Sequence, residues 1–118
     1  MYHLINPSDA IEFSLNRAYC TVKTNDIATS IDRISELFYD KKTRRVILDT
    51  TIVENVPNVW SLYEISKKIP DGIRIAVVTS KKQLSCKNLS FFETTSRNKG
   101  KTVRVFNSMS DAENWLIN

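Results

Sequence analysis

The residues best placed to do chemistry are Asp49, Thr50 and Thr51, which follow directly on the apolar run Val46-Ile47-Leu48. Such a run reads as a buried strand, and its end delivers a carboxylate and two hydroxyls to the rim of a sheet. Asn55 and Asn58 stand farther along the same loop. Ser61 follows in a helix that should begin near Pro57, since proline fits the first helical turn, where its missing N–H costs nothing. A hydroxyl at a helix N-terminus can carry a phosphate, because free amides and the helix dipole hold the added charge. A threonine directly after a strand, however, is more often a β-former or a turn residue, and that reading of Thr50 and Thr51 outweighs the phosphoacceptor one. Asp49 alone makes no general acid–base pair. It is expected to accept backbone N–H bonds at the strand end.

The other reactive side chains are scattered. His3 is the only histidine and lies near the start of the chain. Cys20 falls in a β-favouring stretch and Cys86 in a helical one, without CxxC spacing, so neither suggests a zinc site or a nucleophile with a base beside it. HExxH, GxSxG, Walker and GxGxxG patterns are missing, and with two glycines in all there is no glycine-rich phosphate loop. No catalytic residue, cofactor or metal is expected. Seventeen Lys and Arg against 13 Asp and Glu give a net charge of +4. The basic residues gather as Lys41/Lys42/Arg44/Arg45, Lys81/Lys82/Lys87 and Arg97/Lys99/Lys101/Arg104, each at the end of an expected element. Trp60, Phe91, Phe92 and Trp115 fall at helical positions that read as core or interface. A nucleic-acid surface, which interleaves exposed aromatics with bases on one face, is therefore not expected.

These residues must be positioned by a single domain of 118 residues, long enough to bury roughly two-thirds of its unfolded surface without staples. Hydrophobic residues at 42% and charged residues at 25% are ordinary globular values. No apolar run approaches the ~20 residues of a membrane span. MYHLINPSDA carries neither a basic nor an apolar signal region, so a cytoplasmic protein is expected. Two thiols in a reducing compartment are expected to stay unpaired.

Taken in order, Tyr2–Ile5 is short and apolar, and Ile11–Leu15 alternates as a half-buried strand. Tyr19–Lys23 resumes β-favouring residues, so the two strands read as a hairpin. Thr24-Asn25-Asp26 offers capping side chains to a helix with Ile27, Ile31, Ile34, Leu37 and Phe38 on one face. The strand of Val46–Leu48 is followed by a helix whose inward face is Val59, Leu62, Tyr63, Ser66 and Ile69. Ile73–Thr79 is a second buried strand. A helix is expected from about Lys81 to Asn98 with Leu84, Asn88, Phe91/Phe92 and Thr95 in register. Val103–Phe106 is the last strand, and Ser108-Met109-Ser110-Asp111 resembles a capping box before a helix carrying Ala112, Trp115 and Leu116. The order β-β-α-β-α-β-α-β-α implies an α/β domain, a hairpin followed by alternating units, with a mostly parallel sheet flanked by helices and one antiparallel edge.

The tail VRVFNSMSDAENWLIN, preceded by FFETTSRNKGKT, resembles the closing segment of bacterial STAS-like (SpoIIAA-like, anti-sigma-factor-antagonist type) domains. The hairpin, the RRVILDTT strand and the GIRIAVVTS strand stand in the order of that family, and the resemblance covers nearly the whole chain. It implies the SpoIIAA/STAS-like fold over residues 1–118 and a non-enzymatic regulatory module working through a protein partner, which a second copy of the chain could provide. It also implies a phosphorylatable serine at the start of the helix after the central strand. Here that place falls at about Asn58 or Val59, within Pro57-Asn58-Val59-Trp60, so the usual serine is replaced. The interaction loop and helix then comprise Asp49, Thr50, Thr51, Asn55, Asn58 and Ser61. The alternative from another class is a domain binding a small apolar ligand or lipid, with Trp60, Phe91 and Phe92 lining the cavity.

Overall fold

The computed structural model describes residues 2–4, 12–15, 19–41, 43–53, 57–80 and 87–117. They form one α/β domain whose strands are β1 (Tyr2–Leu4), β2 (Glu12–Leu15), β3 (Cys20–Lys23), β4 (Arg45–Asp49), β5 (Arg74–Val78) and β6 (Thr102–Phe106). The helices are α1 (Ile27–Lys41), α2 (Val59–Lys67), α3 (Lys87–Asn98) and α4 (Met109–Ile117). The six strands lie side by side in the order in which they occur in the chain. β1, β2 and β3 pair antiparallel, whereas β3, β4, β5 and β6 pair parallel.

One strand more is present than the periodicity suggests. Tyr2–Leu4 pairs Tyr2 with Leu15 and Leu4 with Phe13, extending the expected hairpin to a three-stranded antiparallel edge. Three residues are too short a run to display an alternation, so only pairing reveals them as a strand.

The alternation of side chains sorts β4 and β5 between two cores. Val46, Leu48, Ile75 and Val77 face Ile27, Ile31 and Ile34 of α1, Leu62 and Ile65 of α2, and Leu89 and Phe92 of α3. Ile47, Ala76 and Val78 face the opposite way, onto Ala112 and Leu116 of α4. This double covering explains why β4 and β5 read as continuous apolar runs. It also follows from topology. Three consecutive crossovers step in one direction along the sheet, and crossovers of one hand then place their helices on one face. The second face is left for α4.

Local chemistry fixes the start of α1, the start of α4 and the end of α3. Asp26 caps α1, its Oδ1 accepting from the Thr29 amide at 3.3 Å. Ser108 caps α4, its hydroxyl accepting from the Asp111 amide at 3.3 Å. At the end of α3, Gly100 has φ +79°, with Gly100 N–H donating to Arg97 O and Lys101 N–H to Ser96 O. This is a Schellman ending, in which a side chain at Gly100 would strain the backbone.

The helix faces are rotated from the expected ones. Ile65 and Leu89 are buried, while Val59 and Phe91 lie at the surface. The helix toward Asn98 is described only from Lys87, so Leu84 lies outside the described residues.

Leu48→Ala is expected to destabilise the domain by about 2–5 kcal/mol, the cost of a cavity in a packed core. Ile52→Ala at the surface should cost no more than ~0.5 kcal/mol. Chemical denaturation midpoints check both values.

Candidate functional site

The carboxyl ends of the parallel strands are tied together by a row of threonines. Thr24 follows β3, Thr50 follows β4 and Thr79 follows β5, and all three are buried. Each donates its amide to the last residue of the next strand: Thr24 to Asp49 O at 3.0 Å, Thr50 to Val78 O at 2.8 Å and Thr79 to Phe106 O at 2.8 Å. The ladder thus runs one residue past each strand. The sequence carries the signal as Val-Lys-Thr, Leu-Asp-Thr and Val-Val-Thr, of which only Thr50 belongs to the expected interaction loop.

Thr50 and Thr51 have different environments. The Thr50 hydroxyl donates to Val78 O at 2.9 Å from a position only 1% exposed, so it is a structural group and not a free acceptor of phosphate. Asp49 Oδ1 accepts from the Thr51 amide at 3.0 Å and from the Thr51 hydroxyl at 2.7 Å. The carboxylate therefore takes a backbone N–H as expected, closing an Asx turn at the strand end. The Val53 amide then donates to Thr50 O at 3.0 Å, which buries Val53 and turns Ile52 to the surface.

Beyond this turn, Asn58 is the N-cap of α2, with Oδ1 accepting from the Ser61 amide at 2.9 Å. Asn58 and Ser61 are exposed, and Asn55 lies outside the described residues. Asn88 in the first turn of α3 donates to Pro57 O at 3.1 Å, so the starts of α2 and α3 are neighbours at this rim. Trp60, in the first turn of α2, is 77% exposed, and Val59, Ile52 and Phe91 are also exposed. Phe92 is instead part of the helix-side core, and Trp115 is half-buried against Phe106.

The other candidate groups are accounted for separately. Cys20 is buried in β3, and burial pushes its thiol up to about 12, away from nucleophilic use. Cys86, Lys81 and Lys82 lie outside the described residues. Among the described residues there is no group of three His, Cys, Asp or Glu side chains able to hold a metal ion. Nor, among them, is any helix long and apolar enough to cross a membrane.

A second feature lies beside the last strand. A shallow groove of about 560 Å³ runs beside β6, lined by Glu93, Arg97, Lys101, Val103, Arg104 and Trp115 among others. Lys101 Nζ is held by Asp71 at 2.7 Å. Trp115 is fixed from the other side by Arg74, whose guanidinium lies 4.5 Å from the ring centroid and donates to Trp115 O at 2.9 Å. Comparison with protein-family models, with curated proteins and with solved structures finds no match for the chain.

Removing the Asx turn by Asp49→Ala should cost about 1 kcal/mol and speed amide exchange at Thr51 while Ile75 stays protected. Hydrogen exchange read residue by residue checks it. Cys20 should resist alkylation in the folded protein at pH 8 and react on unfolding. Because the folded thiol has the higher pKa, its stabilising contribution is complete below about 9 and is lost as pH rises toward about 12.

Proposed function

We propose that this chain is a non-enzymatic regulatory module of the STAS-like type that docks a protein partner through the junction of β4 and α2. The observation that carries the reading is the exposure of Trp60 at 77%, next to exposed Val59 in the first turn of α2, with Ile52 after β4 also exposed. A tryptophan held in the first turn of a capped helix supplies large apolar area at low entropic cost, the property of an interface anchor. Scattered single apolar residues need no explanation, but Val59 and Trp60 are consecutive exposed residues at one helix start.

The polar groups of the rim support a docking role over a chemical one. Asp49 and Thr50 are committed to local hydrogen bonds, and Asn58 holds the cap of α2. The place of the usual phosphorylated serine is taken by Asn58 or Val59, neither of which has a hydroxyl. Partner binding would then be unregulated at that position. The resemblance of the tail and the order of the elements support the family reading. Trp60 at the surface and Phe92 in the core lend no support to an apolar-ligand cavity lined by both.

Trp60→Glu provides the test, since an acid in the first turn of a helix suits its dipole and should leave stability within ~0.5 kcal/mol. Cross-linking of the full chain in cell extract, with sedimentation of the purified chain, should show a partner or a second copy retained by the wild type. Trp60→Glu should lose it at least tenfold. A chain that stays monomeric and cross-links to the same proteins with either residue would overturn the reading.

A further inference from the structure

The groove beside β6 is a second surface, set toward the amino ends of the parallel strands and so away from the docking rim proposed above. Three parts of the chain wall it: Glu93 and Arg97 of α3, the β6 segment with Lys101 and Arg104, and Trp115 of α4. Its volume of about 560 Å³ lies within the roughly 300–1,000 Å³ of small-molecule sites.

The charge in the groove is uneven. Arg97, Lys101 and Arg104 stand against the single carboxylate of Glu93. Lys101 is already paired with Asp71, whereas no described carboxylate pairs with Arg97 or Arg104. Arg97 lies in the last turn of α3, where a cation complements the helix dipole. Arg104 stands inside a strand and serves no helix end; its guanidinium lies 5.6 Å from the Phe106 ring. Arg45 and Arg74 stand in register with Thr102, which adds to the positive field. At the negative end of α3, Ser96 O and Arg97 O are already taken by the amides of Lys101 and Gly100. Glu93 is fixed in place, its Oε2 accepting from the Val105 amide at 2.6 Å. Its other oxygen has no partner among the described residues.

We propose that this groove binds a phosphate monoester of a small hydroxylated molecule, with Arg97 and Arg104 on the phosphate and Glu93 accepting from a hydroxyl. A guanidinium presents paired N–H donors that match two oxygens of a phosphate, and a dianion gains from both arginines. Glu93 repels a phosphate beside it and attracts a hydroxyl donor, so it sets which way round the ligand lies. One carboxylate among three cations suits neither a metal ion nor a cationic ligand. A nucleic-acid strand repeats its phosphates and asks for a row of cations with open aromatic rings. The groove has two guanidiniums without a described carboxylate and one ring, and a face of that ring lies under Arg74. A sugar phosphate and a mononucleotide share the recognised chemistry and differ in what they present to Trp115.

Ribose 5-phosphate and AMP are the probes, titrated into the full chain and followed by calorimetry. At least one should bind with a Kd below ~1 mM. Ribose and adenosine, which lack the phosphate, should bind about tenfold more weakly or less, and inorganic phosphate severalfold more weakly. Arg97→Ala and Arg104→Ala should each weaken the ester about tenfold. Asp71→Asn frees Lys101 from an exposed pair and should strengthen binding severalfold, which a purely structural role for these residues would not produce. Trp60→Glu should leave binding unchanged, which keeps this site separate from the docking rim. On ligand addition, amide shifts should gather at residues 101–104 and at the Trp115 indole. AMP binding more tightly assigns a nucleotide; ribose 5-phosphate binding as tightly or more so assigns a sugar phosphate. Circular dichroism confirms that each variant is folded. The proposal is overturned by any one of four results. These are binding of neither ester below ~1 mM, inorganic phosphate bound as tightly as both esters, no loss in either arginine variant, or a short oligothymidylate bound more tightly than AMP.

Discussion

The backbone ladder at the carboxyl ends of the parallel strands is the constraint on which the rest depends. Thr24, Thr50 and Thr79 each pass their amide to the next strand after their own strand has ended. A buried N–H left without a partner costs about 1–3 kcal/mol, so this rim would otherwise be the weakest line in the sheet. With the ladder continued by one residue, the loops depart from a common level. The Asx turn of Asp49 and the turn that buries Val53 are built on that level.

The one-directional order of the strands accounts for the division of labour between the two faces. Helices α1, α2 and α3 share the face onto which Val46, Leu48, Ile75 and Val77 point, and α4 alone closes the other. A single helix covers less surface than three. Specific polar contacts accordingly reinforce its docking, with the Tyr19 hydroxyl donating to Glu113 at 2.8 Å and Arg74 donating to Trp115 O. The Arg74 contact also satisfies a carbonyl that the end of α4 would leave without an intrahelical partner.

Much of this architecture was legible from residue order. The apolar runs of β4 and β5, the amphipathic stripe of α1 and the capping serine of α4 each carry a signal within a few residues. What was hidden depends on contacts between distant parts of the chain. Tyr2–Leu4 is a strand because Leu15, Ser14 and Phe13 lie opposite it. Ile65 and Leu89 are buried because α2 and α3 pack on each other as well as on the sheet, which turns their faces away from the simplest helical register. At the site, the turn-forming role of Asp49 was readable because its partner Thr51 is two residues away. The burial of Thr50 and the groove of β6 were not, since they depend on Val78, Glu93 and Trp115 being brought together.

The position of α4 has a consequence for how the chain acquires its structure. β3 to β6 pair only with strands next to them in sequence, across crossovers of nearly equal length, so each step closes a loop of similar entropic cost. Assembly can proceed unit by unit without waiting for a remote segment. The exception is the face of Ile47, Ala76 and Val78, whose cover comes from a helix that follows every strand in the sequence. During synthesis these side chains emerge well before Ala112 and Leu116. A nascent chain halted after β6 would therefore carry an uncovered apolar sheet face, the kind of surface that chaperones recognise and aggregates grow from.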